Sequence, residues 1–390
     1  MPGSLLLGSA RTPIGKLNGS LSALPAAELG GYAIKAALER AGLDPAQVDR
    51  VVMGQVLQAG QGQNPARQAA ARAGLPMTVP AVTVNNVCLS GLFAVQVADQ
   101  MVRSGEADVV VAGGMESMSR APHLLPGARA GYRLGAATAT DSLIADGLWC
   151  AFDEVHMGAG TDRYAEAASI ARERQDELAA ASHQRAAAAV KEGRFDGEIV
   201  PVEVPQRGDP LVVDADEGVR ADTSVASLAK LKPAFGRKGT ITAGNASQIS
   251  DGAAAVVVAS PAKAKELGLP PRAELVAFGL VAGPDPSLLT QPARAIAAAL
   301  VSAGGTLGDV DLFEINEAFA AVSAATMDYL GIDETAVNVN GGAIALGHPI
   351  GMSGARLVLT LSEELRRRGG GLGAAALCGG GGQGAAALVR

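Results

Sequence analysis

The chain has 390 residues, 48% of them hydrophobic, and a formal net charge of −7. That length points to two or three domains, and the acidic balance argues against non-specific binding to nucleic acid or to an anionic membrane. No apolar run reaches the ~18 to 20 residues of a membrane span, and the N-terminal "MPGSLLLGSA" is too short in its apolar part for a secretory signal, so a cytoplasmic protein is expected.

In chain order, the first clear element is an amphipathic helix over 33–41 that stops at Gly42, a residue suited to the left-handed cap position. The "VDRVVMGQV" that follows reads as a short buried strand. Strand 81–84 then runs into "NNVCLSGL" and an apolar helix, "GLFAVQVADQMVRSG", so Cys88 falls in a strand-to-helix turn. There the helix N-terminal N–H groups and dipole favour a thiolate, as a nucleophile requires. A buried structural cysteine is the other reading of that position. From 120 to 250 the chain is richer in charge, with a helical stretch near 163–191 and the alternating "EIVPVEVPQ". This segment reads as an inserted domain.

Beyond it the chain repeats itself. "AIKAALERAGLDPAQVD" (33–49) returns as "AIAAALVSAGGTLGDVD" (295–311), "AVTVN" (81–85) as "AVNVN" (336–340), and "ADVVVAGG" (107–114) resembles "AAALCGGG" (374–381), always in the same order. Strands that alternate with helices imply helix-covered parallel sheets. The expected architecture is α/β, with two similar sheets and a domain inserted between the copies. Its parts are 1–119 completed by 251–268, the insertion 120–250, and 269–390.

The loop of the second copy equivalent to the Cys88 loop is "GGAIALGHPIGMSGAR", which holds His348 among five glycines and Pro349. A pseudo-twofold brings these loops face to face, and a Cys–His pair so assembled resembles an activated nucleophile. "EINEAFAAV" places Glu314, Asn316 and Glu317 at the end of an apolar strand. "CGGGGQG" puts Cys378 at a strand end, followed by glycines whose backbone N–H groups are free to face a ligand oxygen. That run is a poor dinucleotide fingerprint, since it neither opens a helix nor precedes an acidic residue ~20 positions on. The three cysteines have no C-x-x-C spacing and the four histidines lie in unrelated contexts, so neither a disulfide framework nor a metal site is expected.

"VNNVCLSG", "NEAFA", "GGAIALGHPIGMSGAR" and "CGGGGQG", in that order, resemble the thiolase family, and among its members the acetyl-CoA C-acetyltransferases most. The resemblance runs through nearly the whole chain, from "RTPIGKLNGSL" to the last glycines, and implies a duplicated thiolase-like core layered αβαβα. It implies that Cys88 is the acylated nucleophile, that His348 activates it, and that Cys378 moves the α-proton of a second acetyl-CoA. It further implies one oxyanion hole from His348 and a water on Asn316, and another from the N–H groups of Cys88 and Gly380. Arg220, Ser227 and Ser247 match coenzyme A contacts, and His156 with Met157 match the acyl-pocket loop. No cofactor is implied beyond coenzyme A thioesters as substrates, and a homo-oligomer, dimer or tetramer, is expected. A 3-ketoacyl-CoA thiolase of fatty-acid β-oxidation is the neighbouring alternative, and a catalytically silent coenzyme A-binding subunit a further one. The chain departs from the family pattern at "DPSLLTQPARA" and "AGTDRYAEA", both along the expected substrate channel. A ketosynthase-like condensing enzyme would carry a second His or an Asn in place of Cys378.

Overall fold

The computed structural model of the chain describes residues 3–390. Its core is one mixed sheet whose strand order displays the duplication. In the first half, Ser4–Arg11 pairs antiparallel with Ser250–Ala259, which pairs antiparallel with Val109–Ser117; Arg50–Gly54 and Ala81–Val84 follow in parallel. In the second half, Ala273–Ala282 pairs antiparallel with Gln383–Val389, then comes Gly373–Gly379, and then Leu312–Ile315 in parallel. The fifth strand of this half shrinks to a single parallel bridge between Phe313 and Val337. Val337 lies in "AVNVN", so the counterpart of strand Ala81–Val84 stands where the repeat placed it.

The two sheets expected from sequence are halves of one hydrogen-bonded sheet. Ser4, Leu5 and Leu6 pair antiparallel with Leu275, Glu274 and Ala273. The first strand of each copy would otherwise leave an open edge, and each satisfies the other.

Alternation of side chains along the strands sorts them into layers. Val52, Val110 and Val256 of the first half, with Leu377 and Ala385 of the second, face a shared core filled by helices Ser90–Ser104 and Ser353–Arg368. On the opposite faces, Val51 and Val111 pack under helix Ala26–Ala41, and Phe313 and Ala374 under helix Gln291–Ala303. The layers therefore run helix, sheet, helix, sheet, helix.

Local chemistry sets the element ends. Helix Ala26–Ala41 starts earlier than periodicity places it, directly after the extended Pro25, and ends at left-handed Gly42, whose N–H bonds back to the Glu39 and Leu38 carbonyls. The single helix expected over 163–191 is two, Met157–Ala167 and Arg172–Lys191, because the chain turns at Ser169 with φ 57°. "EIVPVEVPQ" supplies strand Val202–Val204, paired antiparallel with Leu211–Val213. No helix among the described residues is long and apolar enough to cross a membrane.

The two central helices touch backbone to backbone at their first turns. A Cβ on Gly91 would lie 2.9 Å from Ala355 N and from Gly351 O, and one on Gly354 would lie 2.4 Å from Leu92 N. None of these three atoms can move aside, since all are main chain. Gly91→Ala and Gly354→Ala are each expected to destabilise the protein by about 3 kcal/mol, at the upper end for overpacking. Urea unfolding measures this, and a loss below about 1 kcal/mol would contradict the geometry.

Candidate active site

Cys88 sits between strand Ala81–Val84 and helix Ser90–Ser104. The turn is strained: Val87 adopts φ 49°, a conformation costing on the order of 1–3 kcal/mol for a β-branched residue. Flanking side chains hold it. Val87 N donates to Asn85 Oδ1 at 2.9 Å, Asn86 N donates to Ser90 Oγ at 2.8 Å, and that hydroxyl donates to Val87 O at 2.6 Å. The N–H groups of Gly380 and of Cys88 itself bear on the sulfur and favour its thiolate, yet burial outweighs them and pushes the thiol up to about 11. The thiolate expected from the helix terminus is thus not the resting form. Local sequence shows the helix start, but not the apolar wall of Val56, Leu57, Met118 and Ile350 around the sulfur.

His348 is buried, and its tautomer follows from its neighbours. Ser353 Oγ donates to Pro349 O at 2.9 Å, so at 2.6 Å from His348 Nδ1 it must accept, which puts the ring proton on Nδ1. Nε2 therefore carries the lone pair and accepts from Asn316 Nδ2 at 3.4 Å. Burial first, and the charge of Arg356 second, lower His348 to about 3, so the ring is neutral at physiological pH. The His348 backbone N–H donates to Gln248 O at 3.0 Å, which fixes the loop from its other side. Asn316 follows strand Leu312–Ile315, is fully buried, and has no hydrogen-bond partner on Oδ1 among the described residues.

Cys378 lies near the end of strand Gly373–Gly379, in an apolar cluster with Leu289 and Phe319. Burial raises its thiol strongly and a charge on Cys88 would raise it further, so the two sulfurs are electrostatic neighbours. Leu89, the residue after Cys88, packs against the next residue of that strand: a Cβ on Gly379 would strike its side chain at 2.7 Å. The glycines that follow form the hairpin turn to strand Gln383–Val389, with Gly381 and Gly382 at φ 79° and 68°. At Gly382 a side chain would meet Asp285 O at 2.0 Å.

Beside these groups opens a cavity of about 490 Å³, lined by His348, Ser247, His156, Phe235 and Phe319. His156 caps helix Met157–Ala167 by accepting from Gly158 N at 3.1 Å and stacks on Phe235 at 4.6 Å. Met157 packs against the Cys378 cluster. Arg220 and Ser227 lie further out, in a recess of about 350 Å³ that shares Ala243 with the inner cavity. Lys230 and Lys232, which follow in sequence, are exposed, and Arg237 and Lys238 line a separate recess with Phe235. The two departing segments meet: Leu288 and Leu289 share one cluster with Tyr164, Ala165 and Cys378.

Glu314 and Glu317 do not enter the cavity. Glu314 is buried against Arg356 at 3.0 Å, burial holding its carboxyl up at about 8 despite the cation. Sequence reasoning missed Ser353, whose signal was a lone hydroxyl five residues after His348, and Glu116. Glu116 accepts from Val56 N, Leu57 N and Gly351 N at 2.9–3.1 Å, tying the wall of the Cys88 site to the His348 loop. Among the described residues no group of three or more His, Cys, Asp or Glu side chains is placed to hold a metal ion.

Two thiols beside a neutral imidazole whose basic nitrogen meets only Asn316, on a duplicated layered core, make a site suited to cysteine-based acyl transfer. Residues 4–262 match the thiolase N-terminal domain and residues 269–390 the thiolase C-terminal domain; the chain belongs to the thiolase family. A probable acetyl-CoA acetyltransferase of Mycolicibacterium smegmatis is 57% identical over 99% of this chain and 100% of its own length. The acetyl-CoA acetyltransferase of Pseudomonas aeruginosa is 54% identical over 98% of both chains. The crystal structure of the Bacillus anthracis acetyl-CoA acetyltransferase superposes with a TM-score of 0.97 at 40% identity, covering 100% of this chain and 98% of that one.

With Cys88 at about 11 and His348 at about 3, the free enzyme holds a neutral thiol and a neutral ring between them. Raising pH deprotonates the thiol without a plateau near neutrality. Iodoacetamide alkylation of Cys88, followed by peptide mass spectrometry, is expected to rise about tenfold per pH unit from pH 7 to 9. A rate that levels off below pH 8 would reveal a preformed thiolate instead.

Proposed function

We propose that the protein is an acetyl-CoA C-acetyltransferase, condensing two acetyl-CoA reversibly to acetoacetyl-CoA and free coenzyme A. The reading rests on one observation above the others: two thiols from different copies of the repeat are neighbours at a site where a neutral imidazole keeps its basic nitrogen, Nε2, on the side of Asn316. In the first half-reaction Cys88 Sγ attacks the thioester carbonyl while its proton passes to His348 Nε2. The N–H groups of Cys88 and Gly380, which already face that sulfur, take the developing oxyanion. The departing coenzyme A thiolate takes the proton of Cys378. His348 then bears a proton on Nε2 and Cys378 is the thiolate.

In the second half-reaction Cys378 removes an α-proton from a second acetyl-CoA. The enolate oxygen lies at His348 Nε2–H and a water on Asn316, and donors of this kind contribute on the order of 3 to 4 kcal/mol each. The enolate carbon attacks acetyl-Cys88, and the released Cys88 sulfur recovers its proton from His348. A cysteine thioester suits this step because its formation from acetyl-CoA is nearly thermoneutral. The thioester acidifies its own α-hydrogens, so the scheme uses no metal or organic cofactor.

The segment 120–250 acts in this reading as the coenzyme A-binding domain, with Arg220, Ser227 and Ser247 along the path from the outer recess to the inner cavity. Three free thiols support a reducing, cytoplasmic compartment, and the proposed acetyl-CoA chemistry supports a place in fatty acid metabolism. The open edge of strand Ala81–Val84, with Val82 and Met77 exposed beside it, supports a homo-oligomer, dimer or tetramer.

The protein incubated with acetyl-CoA is expected to carry one acetyl group, on Cys88. Cys378→Ala should retain that acetylation and lose at least about 10³-fold in condensation rate, as expected for removal of the general base together with its thiolate. An unmodified Cys88 in folded protein, or undiminished condensation by Cys378→Ala, would overturn the assignment.

A further inference from the structure

Glu317 follows Asn316 directly, is buried, and does not line the cavity. Its carboxylate nevertheless gathers three donors from three segments. Ser182 Oγ of helix Arg172–Lys191 donates to Oε2 at 2.7 Å, and Ile344 N donates to the same oxygen at 3.0 Å. Asn338 Nδ2 donates to Oε1 at 3.0 Å. Gly342 closes over the group: a Cβ there would lie 2.4 Å from Glu317 Cδ, and its N–H donates to Ser182 Oγ at 3.1 Å. Ile344 and Gly342 belong to the loop that ends in His348. One carboxylate therefore joins the segment carrying Asn316 to the segment carrying His348.

His348 has anchors of its own in Gln248 O and Ser353 Oγ. Asn316 has few: its N–H donates to Ala376 O at 2.9 Å, and its side chain meets only His348 Nε2 at 3.4 Å. We propose that Glu317 is the positioning residue that sets Asn316 against His348, so that both can serve one oxygen atom. The inference rests on the thiolase reading above and assigns Glu317 to one half-reaction of it. Change at Glu317 displaces Asn316 while His348 keeps its place, so enolate formation suffers and acetylation of Cys88 does not.

Glutamine is a sharp probe. Asn338 Nδ2 also donates to Ile315 O, and Asn338 Oδ1 accepts from Ile315 N, both at 2.8 Å, so that amide cannot flip. The Glu317→Gln amide must either face Asn338 donor to donor or present its NH2 to Ser182 and Ile344. The experiment compares wild type, Glu317→Gln and Ser182→Ala in two rates: acetylation of Cys88 by acetyl-CoA, and solvent deuterium uptake into the acetyl-CoA methyl group by the acetylated enzyme. Glu317→Gln is expected to acetylate within about threefold of wild type and to lose about 100-fold in deuterium uptake, the scale of an ångström-size misplacement. Ser182→Ala, which removes one of the three donors and keeps the charge, should lose about tenfold in uptake alone. Uptake unchanged in both variants, or both rates falling in parallel, overturns the proposal. Should wild type fail to acetylate Cys88, it is the thiolase reading that falls, which separates the two outcomes.

Discussion

At the centre of the molecule two helix starts meet with no side chain between them, and the position of each reactive group follows from that contact. Gly91 and Gly354 are the second residues of the two central helices, one from each copy of the repeat. Cys88 lies three residues before the first glycine; Ser353 directly precedes the second, and His348 is six residues upstream of it. Any side chain at the crossing would push the helices apart and separate the loops that feed them. Glu116 adds a second tie at the same place by accepting from Gly351 N. The pseudo-twofold of the duplication thus becomes chemistry: it carries residues more than two hundred positions apart in sequence onto one site.

Burial then decides the resting charge state. Both thiols are pushed up and the imidazole is pushed down, each with burial as the leading cause. Burial penalises charge on each of the three, so the free enzyme stores none there. The same low-dielectric surroundings strengthen every dipole aimed at a charge once the substrate brings one. The N–H groups of Cys88 and Gly380 need no reorganisation to meet it, because the strained turn at Val87 and the glycine hairpin have placed them in advance. Beneath this site Glu314 and Arg356 form a buried pair whose cation helps keep His348 neutral.

Much of this was legible in the sequence, for reasons that can be named. The helix ending at Gly42 and the repeat offset rest on local backbone preference and periodicity, and both survive in the structure. What sequence missed depends on contacts between distant segments. Glu116 stands in "GGMESMS" with no local mark that its carboxylate will take three N–H groups. Ser353 looks like any first-turn serine until His348 lies against it. The break at Ser169 needs a positive φ that serine does not announce. Arg237 and Lys238 are near Arg220 in sequence, yet they line a different recess from it. The thiolate expected at Cys88 failed for the same reason, since a helix start is a local feature and an apolar wall is not.

The copies also differ where function requires it. The first keeps strand Ala81–Val84, paired along its whole length with Arg50–Gly54. In the second the equivalent strand is reduced to the Phe313–Val337 bridge, and Asn338 takes over the ladder with its side-chain amide, bonding both polar groups of Ile315. Substituting one amide side chain for a strand satisfies the sheet edge while releasing the main chain that follows. That released chain folds through Gly341 and Gly342 over Glu317 and reaches His348. A faithful second strand would have led the backbone into a turn like that at Cys88; its erosion supplies instead the longer loop that sets an imidazole opposite the first copy's thiol.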